Sequence, residues 1–267
     1  MKYSTSPPVS RCASPMSMRS SSSLPIPATY RQECFGAPTK FYKYLRKLLM
    51  FEQMDFEFAT WQMIYLFTNP QKVYRNFRSR KQTKSQFARD DPAFLVLLTF
   101  WLFVSSVGFA IVLGLGFFQF LAFLFYVIIV DCIGIGVIVA SLFWFVTNRY
   151  LRIDKTQDVE WGYCFDIHIN AFFPPLIILH FVQLFLYNGF IIHDGFSSRF
   201  LGNTFWMIAV SYYIYITFLG YANVEILSKT HVILSALPIA FLLYVTTLAG
   251  GINITRMIMN FYYDRVV

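Results

Sequence analysis

The chain is 267 residues long, 57% hydrophobic, 20% aromatic and 13% charged, whereas a soluble domain usually carries ~25% charge. A water-soluble globule is therefore excluded, and the bilayer is the expected solvent. The net charge of +8 is lopsided, because 15 of the 22 Lys and Arg precede Pro92, and that asymmetry bears on threading and partners rather than on fold.

Cys12, Cys34, Cys132 and Cys164 are widely spaced, with no CxxC pair and no adjacent His. Neither a disulfide framework nor a zinc module is expected from them, and the most they offer is a palmitoylated thiol near the membrane.

Residues 1–38 carry nine Ser and six Pro with no apolar run, the composition of a disordered tail rather than a signal peptide. Its Ser and Arg content has something of a mitochondrial transit peptide, but the prolines oppose the amphipathic helix such a peptide needs. From Phe41 the spacing becomes helical, with Phe41, Tyr44, Leu45 and Leu48 on one side and Lys40, Lys43, Arg46 and Lys47 towards the other. Met54, Phe58, Trp61 and Tyr65 continue the pattern. Two placements fit it equally: a helix lying among headgroups, or one packed on the rest of the protein. Asn69-Pro70 ends it.

The basic block KVYRNFRSRKQTKSQFARDD follows, from Lys72 to Asp91, with seven Lys or Arg and no acid before Asp90. Lys72, Arg75, Arg78, Arg80, Lys81, Lys84 and Arg89 are its candidate contacts to membrane, partner or RNA. An anionic leaflet attracts such residues by ~1 kcal/mol each. Tyr74, Phe77 and Phe87 lie among the charges, which also suits single-stranded nucleic acid.

Five apolar spans are predicted, over residues 93–114, 121–145, 171–192, 201–221 and 231–251, each near the ~20 residues that cross a bilayer. Asp90, Asp91 and Pro92 supply the N-terminal cap of the first. Asp131 sits in the middle of the second. A central Asp costs ~2.5–3.5 kcal/mol, against ~4–8 returned in total by the 13 Leu, Ile, Val and Phe between Leu121 and Ser141, so the span inserts despite its charge. Gly134 and Gly136 beside it allow close helix approach. The connection from Asn148 to Asn170 reads as a solvated loop with Trp161, Tyr163 and Phe165 at the interface. Its Asp158, Glu160, Asp166 and His168 have no convincing metal spacing. His180 and Gln183 share one face of the third span. Residues 252–267 form a short tail with a sequon, Asn253-Ile254-Thr255, too close to the membrane edge to be used.

Counting Lys and Arg on the flanks puts 19 on the N-terminal side of the membrane and three on the other. The positive-inside tendency then makes the N-terminus cytosolic and the tail lumenal. There is no phosphate loop, nucleophile elbow, HExxH or His cluster, so no enzyme and no cofactor is expected. An intramembrane Asp invites a functional reading; a proton or solute relay through Asp131 and His180 competes with structural burial, though the five spans show no paired half-repeats.

Three stretches resemble the uncoordinated-fifty family, also called UNCL, of eukaryotic Golgi and endoplasmic-reticulum membrane proteins. They are FYKYLRKLLMFEQMDFEFATWQMIYLFTNPQKVYRNFRSRKQTKSQFARDDPAFLVLL, DVEWGYCFDIHINAFFPPLIILHFVQLF and GNTFWMIAVSYYIYITFLGY, and the likeness runs from Phe41 to the C-terminus. Phe87 stands where the family has Trp, and Pro175 where it has an aliphatic residue. The resemblance implies five spans, a cytosolic N-terminus and no enzymatic activity. It also implies a role in the assembly or surface delivery of nicotinic acetylcholine receptors, recruitment of large Arf exchange factors to Golgi membranes and, in some animal members, RNA binding. The sequence thus predicts an all-α, polytopic protein of Golgi or endoplasmic-reticulum membranes, its five spans preceded by a cytosolic amphipathic and basic helical region (39–91). A solute or proton transporter and an RNA-binding membrane adaptor are the alternatives.

Overall fold

A computed structural model describes residues 50–76, 91–153 and 158–267 and positions 42, 44 and 46–48. The tail 1–38, Cys12 and Cys34, and Arg78, Arg80, Lys81, Lys84 and Arg89 of the basic block lie outside the described residues. The described chain is all-α; its only β-type pairing is one antiparallel bridge, Arg152 with Leu227.

Five helices are long and apolar enough to cross a membrane: α2 (Ala93–Leu113), α3 (Phe117–Leu151), α4 (Trp161–Ile191), α5 (Phe196–Ala222) and α6 (Thr230–Ala249). A shorter helix, α1 (Phe56–Thr68), precedes them and another, α7 (Ile254–Val266), follows. At ~1.5 Å per residue the 21 residues of α2 measure ~32 Å, close to a ~30 Å hydrocarbon core. The 35 residues of α3 and 31 of α4 are too long for that core. Phe94 meets Phe173 edge-on at 6.1 Å, Trp101 meets Phe181 at 5.6 Å and Ser105 meets His180. Helices α2 and α4 therefore run parallel, as the odd members of an alternating thread must, and the first turns of α4 stand beyond the start of α2.

That surplus corrects the reading of Asn148 to Asn170 as a solvated loop. Helix α4 begins at Trp161, and Tyr163, Cys164, Ile167, His168, Ile169 and Asn170 are buried. Tyr163, Cys164 and Ile167 build a second apolar cluster at the α1 side with Ala140, Leu151, Val159, Tyr221, Val224 and Leu227. The connections there are sewn together: Asn148 exchanges two hydrogen bonds with the Val159 backbone at 2.8 and 3.1 Å, and Ile153 N donates to Ile226 O at 2.9 Å. Arg152 pairs with Asp158. Gly136 has the function its sequence setting suggests, since a Cβ there would lie 2.9 Å from the His168 ring.

Helix α1, the second half of the helical pattern that starts at Phe41, is packed on the bundle. Asp55 caps it by accepting from Phe58 N at 2.8 Å. Its buried face is Ala59, Gln62, Met63 and Leu66. Tyr212 OH donates to Phe67 O at 2.7 Å. Asp91 joins two elements: Oδ1 accepts from Ala93 N at 3.1 Å, capping α2, and Oδ2 accepts from Asp55 N at 2.9 Å. Helix α6 is the opposite case, packing chiefly on α5 with no residue of Ala236–Ala249 buried.

Candidate functional site

The tail is not a free segment. Residues Ile254 to Val266 form α7, whose Thr255, Met259, Tyr262 and Val266 face the bundle, an i, i+4, i+7, i+11 pattern. Asn253 caps it, Oδ1 accepting from Arg256 N at 3.1 Å while Nδ2 donates to Ile191 O at 3.0 Å. Asn203 receives it: Oδ1 accepts from Ile254 N at 2.9 Å and Nδ2 donates to Ile252 O at 2.8 Å. Gln183 Nε2 donates to Gly202 O at 3.1 Å and to Thr255 Oγ1. Gly202 makes this docking possible, because a Cβ there would sit 2.9 Å from Thr255 Oγ1 and 3.1 Å from Ile191 Cγ2.

At its other end α7 carries the partner of the intramembrane carboxylate. Arg265 NH1 donates to both oxygens of Asp131, at 3.0 and 3.2 Å, and its guanidinium lies 4.1 Å from the centre of the Tyr126 ring. Asp131 is ~21 Å along α3 from Phe117 at ~1.5 Å per residue, well inside a bilayer. It occupies a π-helical stretch, Tyr126–Gly134, a widened turn that recurs at functional positions. A buried charge is tolerable only when paired, and here the partner comes from α7 rather than from His180.

His180 lies in another π-helical stretch, Ile178–Val182. Its Nδ1 is 3.2 Å from Ser105 Oγ, which itself donates to Leu102 O at 2.9 Å. His180 and Gln183 meet in a cavity of about 30 Å³ with Phe109, Trp206, Thr255 and Tyr262. The indole Nε1 of Trp206 is buried there with no hydrogen-bond partner among the described residues. Asp131 does not line this cavity, so the structure assigns the two polar residues of the relay idea to different partners.

At the α1 side, Gln62 Nε2 donates to Asn170 Oδ1 at 2.8 Å. His168 Nδ1 lies 2.7 Å from Tyr213 OH. Residues 70–76 are helical and begin the basic block. Val73 and Tyr74 are buried, so Tyr74 is withdrawn from the aromatic set considered for base stacking. Lys72 Nζ is 4.0 Å from the Tyr65 ring centre, and its hydrogen bond and charge lower the Tyr65 pKa. Arg75 is exposed. Among the described residues no group of three His, Cys, Asp or Glu side chains converges to hold a metal.

Sequence reasoning missed Arg265, Asn203, Gln62 and Trp206. Arg265 entered only as one charge in a count, although the spacing of Thr255, Met259, Tyr262 and Val266 already marked a packed helix around it.

The sequence profile of the UNC-50 family matches residues 44–263. The chain is 60% identical over 268 residues to "Protein unc-50 homolog" of Drosophila melanogaster, covering 100% of this chain and 98% of that protein. It is 55% identical over 232 residues to the protein of the same name in Homo sapiens, covering 86% and 90%. It is 56% identical over 232 residues to "Protein unc-50 homolog A" of Xenopus laevis, with the same coverage. No solved structure matches. Matched from the α1 region through α7 by the family profile, and from end to end by the fruit-fly relative, the chain belongs to the UNC-50 family.

Proposed function

We propose that the chain is a non-enzymatic trafficking or assembly factor of Golgi and endoplasmic-reticulum membranes. It supports surface delivery of membrane cargo such as nicotinic acetylcholine receptors and engages large Arf exchange factors through its cytosolic side. The N-terminus and basic block face the cytosol and α7 enters the bundle from the lumenal side, as the charge count requires. The observation that carries this reading is where the polar groups of the spans go. Asp131 goes to Arg265, Gln183 to Thr255, Gln62 to Asn170 and His168 to Tyr213. Each bond joins two helices, which is the economy of a scaffold rather than of a permeation path.

The clasp of α1 on α4 fixes the start of the basic block at Lys72 and Arg75, so the block leaves the bundle from a rigid base. Its anionic partner is the cytosolic leaflet or an acidic protein face. The RNA-adaptor reading rests on the same charges, with Phe77 and Phe87 left as its stacking residues.

In cells deleted for the protein, re-expression should restore surface receptor number. Replacing Arg78, Arg80, Lys81 and Lys84 by Gln should fail to restore it at normal protein abundance. Proximity labelling from the N-terminus should mark an Arf exchange factor. Normal receptor delivery in the deleted cells, with no such labelling, sinks the reading.

A further inference from the structure

The attachment of α7 is uneven. Its first turn is tied through Asn253, Asn203, Gln183 and the Arg256–Asp194 pair, while its last turn meets the bundle through Val266 and through Arg265, which forks onto Asp131 and stacks on Tyr126. That pair is not sealed: Asp131 keeps 20% of its side chain exposed and Arg265 18%. Around it, Phe125, Ile129 and Val130 on α3 and Phe261 on α7 are exposed apolar side chains, as a lipid-facing surface requires.

We propose that Asp131 is an exchangeable docking point for an arginine within a transmembrane segment of a client protein, with Arg265 as its resident occupant. This deepens the assembly-factor reading above and rests on it. An Arg at the centre of an isolated span is costly to keep in lipid, so an unassembled client with such a residue gains most from a carboxylate at matching depth. Transfer of Asp131 from Arg265 to a client guanidinium breaks and forms the same two N–H···O bonds and moves the unpaired charge from the client to Arg265, so the exchange is near balance and reversible. The Tyr126 face, 4.1 Å from the guanidinium carbon, favours Arg over Lys because a planar guanidinium stacks on the ring while forking to the carboxylate. The π-helical turn that carries Asp131 supplies the local irregularity common at positions that bind.

The test uses the full chain in nanodiscs and a single-span polyleucine peptide with one central Arg, against the same peptide with Lys or Leu there. Capture, read by energy transfer between labelled peptide and chain, should rank Arg above Lys above Leu. Arg265→Gln should raise capture of the Arg peptide about fivefold or more by removing the competitor, and Asp131→Asn should abolish it. Because Asp131→Asn risks a folding defect, the charge-swapped double variant Asp131→Arg with Arg265→Asp is the companion. It keeps the internal pair and should capture an Asp-bearing peptide in place of the Arg peptide. Equal capture of Arg and Leu peptides, or no response to Arg265→Gln, overturns the proposal. Receptor delivery that survives such a result leaves the trafficking reading standing.

Discussion

Gln62 and Asn170, 108 residues apart, share a 2.8 Å hydrogen bond with both side chains buried. It fastens α1 to the first third of α4. Removing one partner strands the other's amide away from water, which costs ~1–3 kcal/mol. Gln62→Ala and Asn170→Ala should each lower the thermal midpoint in detergent. The double variant should cost less than the sum of the two, as expected for groups that touch. Full additivity would mean that the bond contributes nothing.

Gly202 is the point where α7 enters the bundle. Gly202→Ala forces its Cβ against Thr255 and Ile191, an overpacking worth ~1–3 kcal/mol, relieved by movement of the α7 first turn. A cysteine at buried Met259 should react slowly with a membrane-permeant maleimide in the parent and faster with Gly202→Ala added. Unchanged labelling would place the strain elsewhere.

The sequon should stay unglycosylated even with the tail on the lumenal side. Asn253 spends its amide on Ile191 O and its carbonyl on Arg256 N, and Thr255 is buried under Gln183. A sequon appended beyond Val267 on a flexible linker should be modified, shown by an endoglycosidase-sensitive mobility shift. Modification of Asn253 itself would mean that α7 spends part of its life undocked.

The basic block should be tested in the intact chain, because α1 and the residues leading into the block depend on the bundle for their packing. In nanodiscs containing phosphatidylserine, trypsin should cut within residues 72–89 more slowly than in neutral nanodiscs, and salt should erase the difference. Replacing Arg78, Arg80, Lys81 and Lys84 by Gln removes up to ~4 kcal/mol of surface attraction at ~1 kcal/mol per residue. Cleavage at the remaining Lys72, Arg75 and Arg89 should then depend much less on lipid charge. A protected block in neutral lipid at high salt would point to a protein contact instead.

The apolar spans were legible because membrane insertion is written in composition over twenty-residue windows. Helix α6 starts at Thr230 against an expected 231, and α5 at Phe196 against 201. The start of α4, ten residues before the expected 171, was not legible. Trp161 to Asn170 is polar enough to read as a loop, and its burial depends on Ala140, Tyr221 and Gly136 of other helices. Helix α7 was missed for a related reason. Its mixed composition fails a hydropathy test, and although its apolar spacing marks a packing face, nothing in the sequence shows that the face seats beside Gly202. Asp131 was recognisable as a costly residue, but distance in sequence hid its partner. The expected partner was His180, whereas Arg265 lies 134 positions after Asp131.

That separation sets an order of events during synthesis. At ~5–20 residues per second the ribosome reaches Arg265 ~7–27 s after Asp131. By then α4, α5 and α6 have been synthesised. The second span must therefore enter the lipid with its carboxylate unmatched, and the bundle assembles around a defect that only the following helix repairs. The pair thus works as a completion mark. A nascent chain halted before α7 displays a bare acid at mid-membrane, and a chain that has passed it does not.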